Sequence, residues 1–83
     1  GEINRKLENA AAAIARIRER YEPDAVNVDT TDGISIEYPE WRFNLRSSNT
    51  EPVVRLNVES KADTALMKEK TAELLNMLKE ESL

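Results

Sequence analysis

Histidine and cysteine are both absent from this 83-residue sequence. Without cysteine there is no disulfide framework and no thiolate chemistry. Without histidine, the commonest general base and the commonest transition-metal ligand are missing. Glycine occurs only at Gly1 and Gly33, so a glycine-rich phosphate loop cannot be assembled. No apolar run approaches the roughly 20 residues of a membrane helix, and no signal-peptide pattern opens the chain. Acidic residues are dispersed, with no cluster at metal-ligand spacing. A surplus of positive charge is lacking too: 12 Lys and Arg against 16 Asp and Glu give a net charge of -4, which argues against a nucleic-acid partner. No nucleophile is paired with a base, so no catalytic constellation is visible.

What is present fits a small globular domain: 40% apolar and 34% charged residues. The length predicts one domain over residues 1–83. A chain of this size buries only about 60–65% of its unfolded surface, which leaves little room for a deep enclosed active site. It begins at Gly1 without an initiator Met, as a piece of a longer protein would. The cytoplasm is the expected compartment.

The patterning has three parts. Leu7, Ala10, Ile14, Ile17 and Tyr21 recur at helical spacing, with Asn9 as a candidate N-cap and Pro23 as a stop. Residues 2–5 ahead of it read as extended. Four segments then alternate with period two: Val26 and Val28; Ile34, Ile36 and Tyr38; Trp41, Phe43 and Leu45; Val54, Leu56 and Val58. Each predicts a strand with one wet face. A second helix follows, with Asp63 as N-cap, an inward stripe of Met67, Thr71, Leu74 and Leu78, and Lys68, Glu69, Glu73 and Glu80 on a solvated face. The fold class is α+β, in the order α-β-β-β-β-α: a four-stranded antiparallel sheet with both helices on one face.

Turn chemistry constrains the registers. A three-residue loop, Thr31-Asp32-Gly33, places Val28 opposite Ile36 and puts Gly33 in the left-handed region. A Pro39-Glu40 turn pairs Ile36 with Phe43 and Ile34 with Leu45; Pro39 excludes a primed turn because it cannot adopt φ > 0. The third and fourth strands are expected to place Leu45 opposite Val54, and hence Asn44 opposite Arg55.

Chemistry is left to the polar face and the loops. From Arg42 to Arg55 there are three Arg and one Glu, a local net charge of +2 in an acidic chain. Arg46 offers a planar fork matched to phosphate oxygens, and Ser48, Asn49 and Thr50 offer short hydroxyl and amide donors. Backbone N–H groups of a tight loop can add a nest. The same Ser-Ser-Asn-Thr is also ordinary turn chemistry, and an Arg on a wet sheet face is ordinarily only solvated. Spacing alone leaves both readings open. Trp41 and Phe43 have core parity, which disfavours an RNA-recognition sheet or similar stand-alone binding module.

The stretch from Trp41 to Leu56, with Arg46-x-Ser48-Asn49-Thr50-Glu51-Pro52 at its centre, resembles the C-terminal domain of the α-D-phosphohexomutases. The Thr31-Asp32-Gly33 turn, Glu59-Ser60 and the opening Gly1-Glu2-Ile3-Asn4 are similar to the bacterial phosphomannomutase branch of that family. The resemblance implies a TATA-binding-protein-like sheet with flanking helices, belonging to a four-domain isomerase that moves phosphate between C1 and C6 of a hexose. By matching positions, it implies that Arg46, Ser48, Asn49 and Thr50 bind the substrate's non-transferring phosphate, with Arg55 as a secondary candidate. It implies no catalytic or metal-binding residue in this chain. Mg²⁺ would be bound by another domain of the parent enzyme, and the isolated domain would be inactive. The expected partners are mannose or glucose phosphates and the other domains of the same chain, with no nucleic acid and no membrane. Asn49, where glucosamine-type mutases resemble a Gly, favours a phosphomannomutase or a dual mannose/glucose enzyme; the same domain of a phosphoglucomutase or phosphoglucosamine mutase is the alternative.

Overall fold

In a computed structural model, residues 2–48 and 50–79 are described. The elements run β1 (Glu2–Lys6), α1 (Ala10–Tyr21), a 3₁₀ turn (Glu22–Asp24), β2 (Asn27–Asp29), β3 (Ile34–Glu37), β4 (Trp41–Ser47), β5 (Val53–Ser60) and α2 (Thr64–Lys79). The sheet is antiparallel with spatial order β1-β5-β4-β3-β2. The α+β class stands, with five strands rather than four. The extended lead-in at residues 2–6 becomes the added strand by pairing with β5, placing Ile3 opposite Leu56. That strand's sole apolar residue, Ile3, packs against the core.

The helix starts follow the capping chemistry. Asn9 Oδ1 accepts the Ala12 N–H at 3.0 Å, and Asp63 Oδ1 accepts the Leu66 N–H at 2.9 Å. Helix α1 ends at Tyr21, where the Pro23-containing 3₁₀ turn takes over. Both helices cover the apolar face of the sheet. Ala13, Ile17 and Tyr21 of α1 and Leu74 and Leu78 of α2 join Ile36, Phe43, Leu45 and Leu56 in one core. Leu7, read as part of the first helical stripe, precedes the helix and is buried in the same core.

The two hairpin registers follow the turns: Val28 faces Ile36, Ile36 faces Phe43 and Ile34 faces Leu45. Gly33 has φ +70. The β4–β5 register departs from the expectation by two residues. Leu45 faces Leu56, Asn44 faces Asn57, and Arg46 faces Arg55. Proline explains the shift. Pairing Leu45 with Val54 would carry Pro52 into the ladder, where it has no N–H to donate. The observed register closes the hairpin one step earlier, with Ser48 N–H donating to the Val53 carbonyl at 2.9 Å. Pro52 stays in the loop, its carbonyl accepts the Leu7 N–H at 2.9 Å, and Val53 N–H turns back to the Glu51 carbonyl at 2.8 Å.

Glu73 is not simply solvated, as the helical pattern suggested. Its carboxylate accepts the Tyr21 O–H at 2.6 Å and pairs with Lys70 at 3.4 Å, tying α2 to α1. Burial, then the bond to Glu73, pushes the Tyr21 hydroxyl up to about 12, while the Tyr21 O–H holds the Glu73 carboxyl below its usual range. Glu80 lies outside the described residues.

Candidate functional site

Strand alternation sends Arg42, Asn44 and Arg46 to the face away from the helices, since Trp41, Phe43 and Leu45 occupy the buried one. On the same face β5 presents Arg55, Asn57 and Glu59, and β1 presents Glu2 and Asn4 beside them. The face is polar throughout, and Trp41 and Phe43 are core residues.

Three arginines share this surface in different states. Arg42 pairs with Glu59 across β4–β5 at 3.1 Å, with both side chains 62% exposed, so the pair adds at most about 1 kcal/mol. Arg46 Nη1 lies 3.2 Å from Asp32 Oδ2, and its Nη2 lies 3.8 Å from Glu2 Oε1. Arg55 is exposed, and among the described residues it forms no ion pair. It stands directly opposite Arg46 in the sheet. Like charges directly opposite one another on an antiparallel pair are destabilising. The register therefore sets Arg55 beside Arg46, where the expected register set it opposite Asn44.

The loop continues from Arg46 through Ser48. Ser48 is half-buried at the end of the ladder, and its Oγ accepts the Thr50 N–H at 3.3 Å. That bond leaves the Ser48 O–H free to donate elsewhere, and it engages one of the backbone N–H groups a nest would require. Among the described residues no hydrogen bond joins Arg46 to Ser48 or Thr50. Thr50 and Glu51 are exposed. Asn49, also read as a phosphate ligand, lies outside the described residues.

Two residues near Arg46 escaped the sequence reading of the site, Asp32 and Glu2. The first carried a signal. Pairing Ile34 with Leu45 sets Gly33 opposite Arg46 and brings the turn's acidic residue alongside. Glu2 had none, because its pairing with β5 spans more than 50 residues of sequence. Among the described residues no group of three His, Cys, Asp or Glu could hold a metal ion, and no helix is long and apolar enough to cross a membrane.

The architecture is a helix-backed antiparallel sheet with a polar open face and one polar loop closing its central hairpin. Comparison with known proteins assigns it. The family described as phosphoglucomutase/phosphomannomutase, C-terminal domain, matches residues 2–77, and the chain belongs to that family. A phosphomannomutase of Escherichia coli is 80% identical over 79 residues, covering 95% of this chain and 17% of the relative. A phosphomannomutase of Salmonella montevideo is 58% identical over 94% of this chain and 17% of its own length, and one from Methanocaldococcus jannaschii is 40% identical with the same coverage. The crystal structure of a phosphoglucomutase/phosphomannomutase family protein from Burkholderia thailandensis superimposes with a TM-score of 0.66 at 29% identity, over 96% of this chain and 17% of that one. The chain thus spans about one sixth of the length of these relatives.

Proposed function

We propose that this domain is the substrate-phosphate clamp of a phosphomannomutase, an isomerase whose full chain interconverts mannose 6-phosphate and mannose 1-phosphate. The observation that carries the reading is the facing pair Arg46 and Arg55 on the polar side of β4–β5, with Ser48 and Thr50 in the loop that joins the two strands. Two guanidiniums in that position repel each other, and the carboxylates of Asp32 and Glu2 meet only Arg46, so among the described residues the charge of Arg55 has no ion-pair partner. Arg46 serves as the bidentate ligand, Ser48, Asn49 and Thr50 donate from the loop, and Arg55 supplies the second positive charge. The 80% identity to a phosphomannomutase supports mannose phosphates over glucose or glucosamine phosphates.

The domain makes no bond and breaks none. Its part is to hold one phosphate of the sugar while the other reacts elsewhere, and to close over the substrate once it is bound. A grip on phosphate alone suits a substrate that must bind in two orientations. Mg²⁺ chemistry belongs to another domain of the parent chain, as do the reacting groups. The working compartment is the cytoplasm, with the remaining domains of the same chain as partners and neither nucleic acid nor membrane involved.

Two measurements test this. In the full-length enzyme, Arg46→Ala removes up to two charge-assisted bonds worth about 1.5–3 kcal/mol each, so kcat/KM for mannose 1-phosphate should fall about 100-fold or more. Near-normal turnover would leave the domain a structural role only. Titrating this chain with mannose 1-phosphate should shift the backbone amides of residues 46–50 first; shifts spread elsewhere with none in the loop would place the site wrongly.

A further inference from the structure

We infer that Asp32 is a positioning residue for Arg46: a carboxylate mounted on a rigid turn that orients the guanidinium before phosphate arrives. This rests on the reading of the loop given above. Asp32 Oδ2 lies 3.2 Å from Arg46 Nη1. A carboxylate on a loose loop could not orient an arginine, but this turn is pinned from three sides. Asp29 Oδ1 accepts the Thr31 N–H at 2.8 Å, closing an Asx turn. The Asn44 amide, one face position before Arg46, reaches the Asp32 carbonyl at 3.3 Å, the Ile34 carbonyl at 3.2 Å and Ser35 Oγ at 2.9 Å. Gly33 lies so close to β4 that a Cβ there would stand 2.3 Å from the Leu45 carbonyl oxygen and 2.6 Å from Arg46 Cβ. The main chain bearing Asp32 is therefore fixed to the strand that bears Arg46. Glu2 Oε1, 3.8 Å from Nη2, restrains the guanidinium from the other side.

A carboxylate beside a phosphate ligand also repels the phosphate, and the two effects oppose each other. Exposure decides between them. The Asp32 side chain is 72% exposed and that of Arg46 38%, so water and salt screen the repulsion between Asp32 and a bound dianion, while the contact hydrogen bond still selects the arginine's rotamer. One N–H of Nη1 is used, and Glu2 lies beyond hydrogen-bond distance of Nη2, so the remaining guanidinium donors stay open to phosphate. The same exposure makes the pair nearly neutral for stability, which separates positioning from a structural role.

The experiment is a cycle in the full-length enzyme, with KM and kcat for mannose 1-phosphate and the thermal midpoint measured for Asp32→Ala, Asp32→Asn, Asp32→Glu, Arg46→Ala and the Asp32→Ala/Arg46→Ala double variant. The expected result is a KM raised about threefold to tenfold in Asp32→Ala and Asp32→Asn, as for an arginine that must be ordered on binding. In the same variants kcat and the thermal midpoint stay near the parent values, and Asp32→Glu recovers part of the loss. Asp32→Ala should have no further effect once Arg46 is gone. An unchanged or lowered KM in Asp32→Asn, with Arg46→Ala impaired, overturns the inference and leaves the clamp intact. So does an equal KM rise with or without Arg46. A normal Arg46→Ala enzyme removes the clamp and the inference together. If Asp32→Ala fails to fold, the isosteric Asp32→Asn decides.

Discussion

Strand β4 has two ends of opposite character. At the Trp41 end the rings of Tyr38 and Trp41 stack at 4.8 Å, Trp41 stacks on Phe43 at 5.6 Å, and Tyr21 meets both edge-on at 6.0 and 5.4 Å. The Tyr38 hydroxyl donates to the Tyr21 carbonyl, and Tyr21 donates to Glu73, so both helices and the start of the β3–β4 turn are tied at one point. At the Arg46 end the contacts are polar and partly exposed, between a strand arginine and carboxylates of a turn and of the edge strand, with Ser48 and Thr50 in the loop beyond. Five residues apart on one strand, the first group serves stability and the second is available to a ligand. An apolar, ring-filled contact gains from being closed to water, whereas donors meant for an incoming anion must stay reachable and be only lightly engaged.

This contrast can be broken most forcefully at the aromatic end. Trp41→Ala should lower the unfolding free energy by about 3–5 kcal/mol in urea titrations, a large share of what so small a domain possesses. Arg46→Ala should shift it by less than about 0.5 kcal/mol. A comparable loss from both would erase the distinction between the ends. Gly33→Ala sharpens the contrast from the other direction, because Gly33 lies near the ligand end yet has a structural role. Its φ of +70, and the 2.3 Å at which an added Cβ would stand from the Leu45 carbonyl oxygen, predict a loss of at least about 2 kcal/mol, together with weakened phosphate binding as the Asp32 turn lifts from Arg46.

Tyr21→Phe is next in size, at about 1–2 kcal/mol for the bond to Glu73. Its pH dependence carries the diagnosis. The Tyr21 hydroxyl is raised from 10.0 to about 12, so its contribution is full below pH 10 and fades between about pH 10 and 12, where the unfolded chain ionises first. The Glu73 carboxyl is lowered, so its share is present above the ordinary carboxylate range and is lost as the pH falls through the lowered value. The difference between wild type and Tyr21→Phe should therefore shrink at both extremes; a difference independent of pH would mean that the phenol acts only through packing. A smaller effect, of opposite sign, is expected outside both ends. Ala62 has φ 54, which costs an L residue strain, and Ala62→Gly should raise the thermal stability by about 0.5–1 kcal/mol.

Local chemistry in the sequence accounts for the helix starts at Asn9 and Asp63, the left-handed Gly33, the two short hairpin registers and the side of the sheet each residue faces. These depend on neighbours a few residues away and on a period of two, and that period also separated Arg46 from the core. Three matters were decided only by tertiary structure. The β4–β5 register shifted by two, which preserves every face and so is invisible to alternation; it turned on where Pro52 could sit, and it set Arg46 against Arg55. Strand β1 formed because β5 offered an open edge, although a single apolar residue marked the segment. The partners of Glu73 and Arg46 come from elements far away in sequence, and a charged side chain's pattern does not say which distant group will be brought within reach of it.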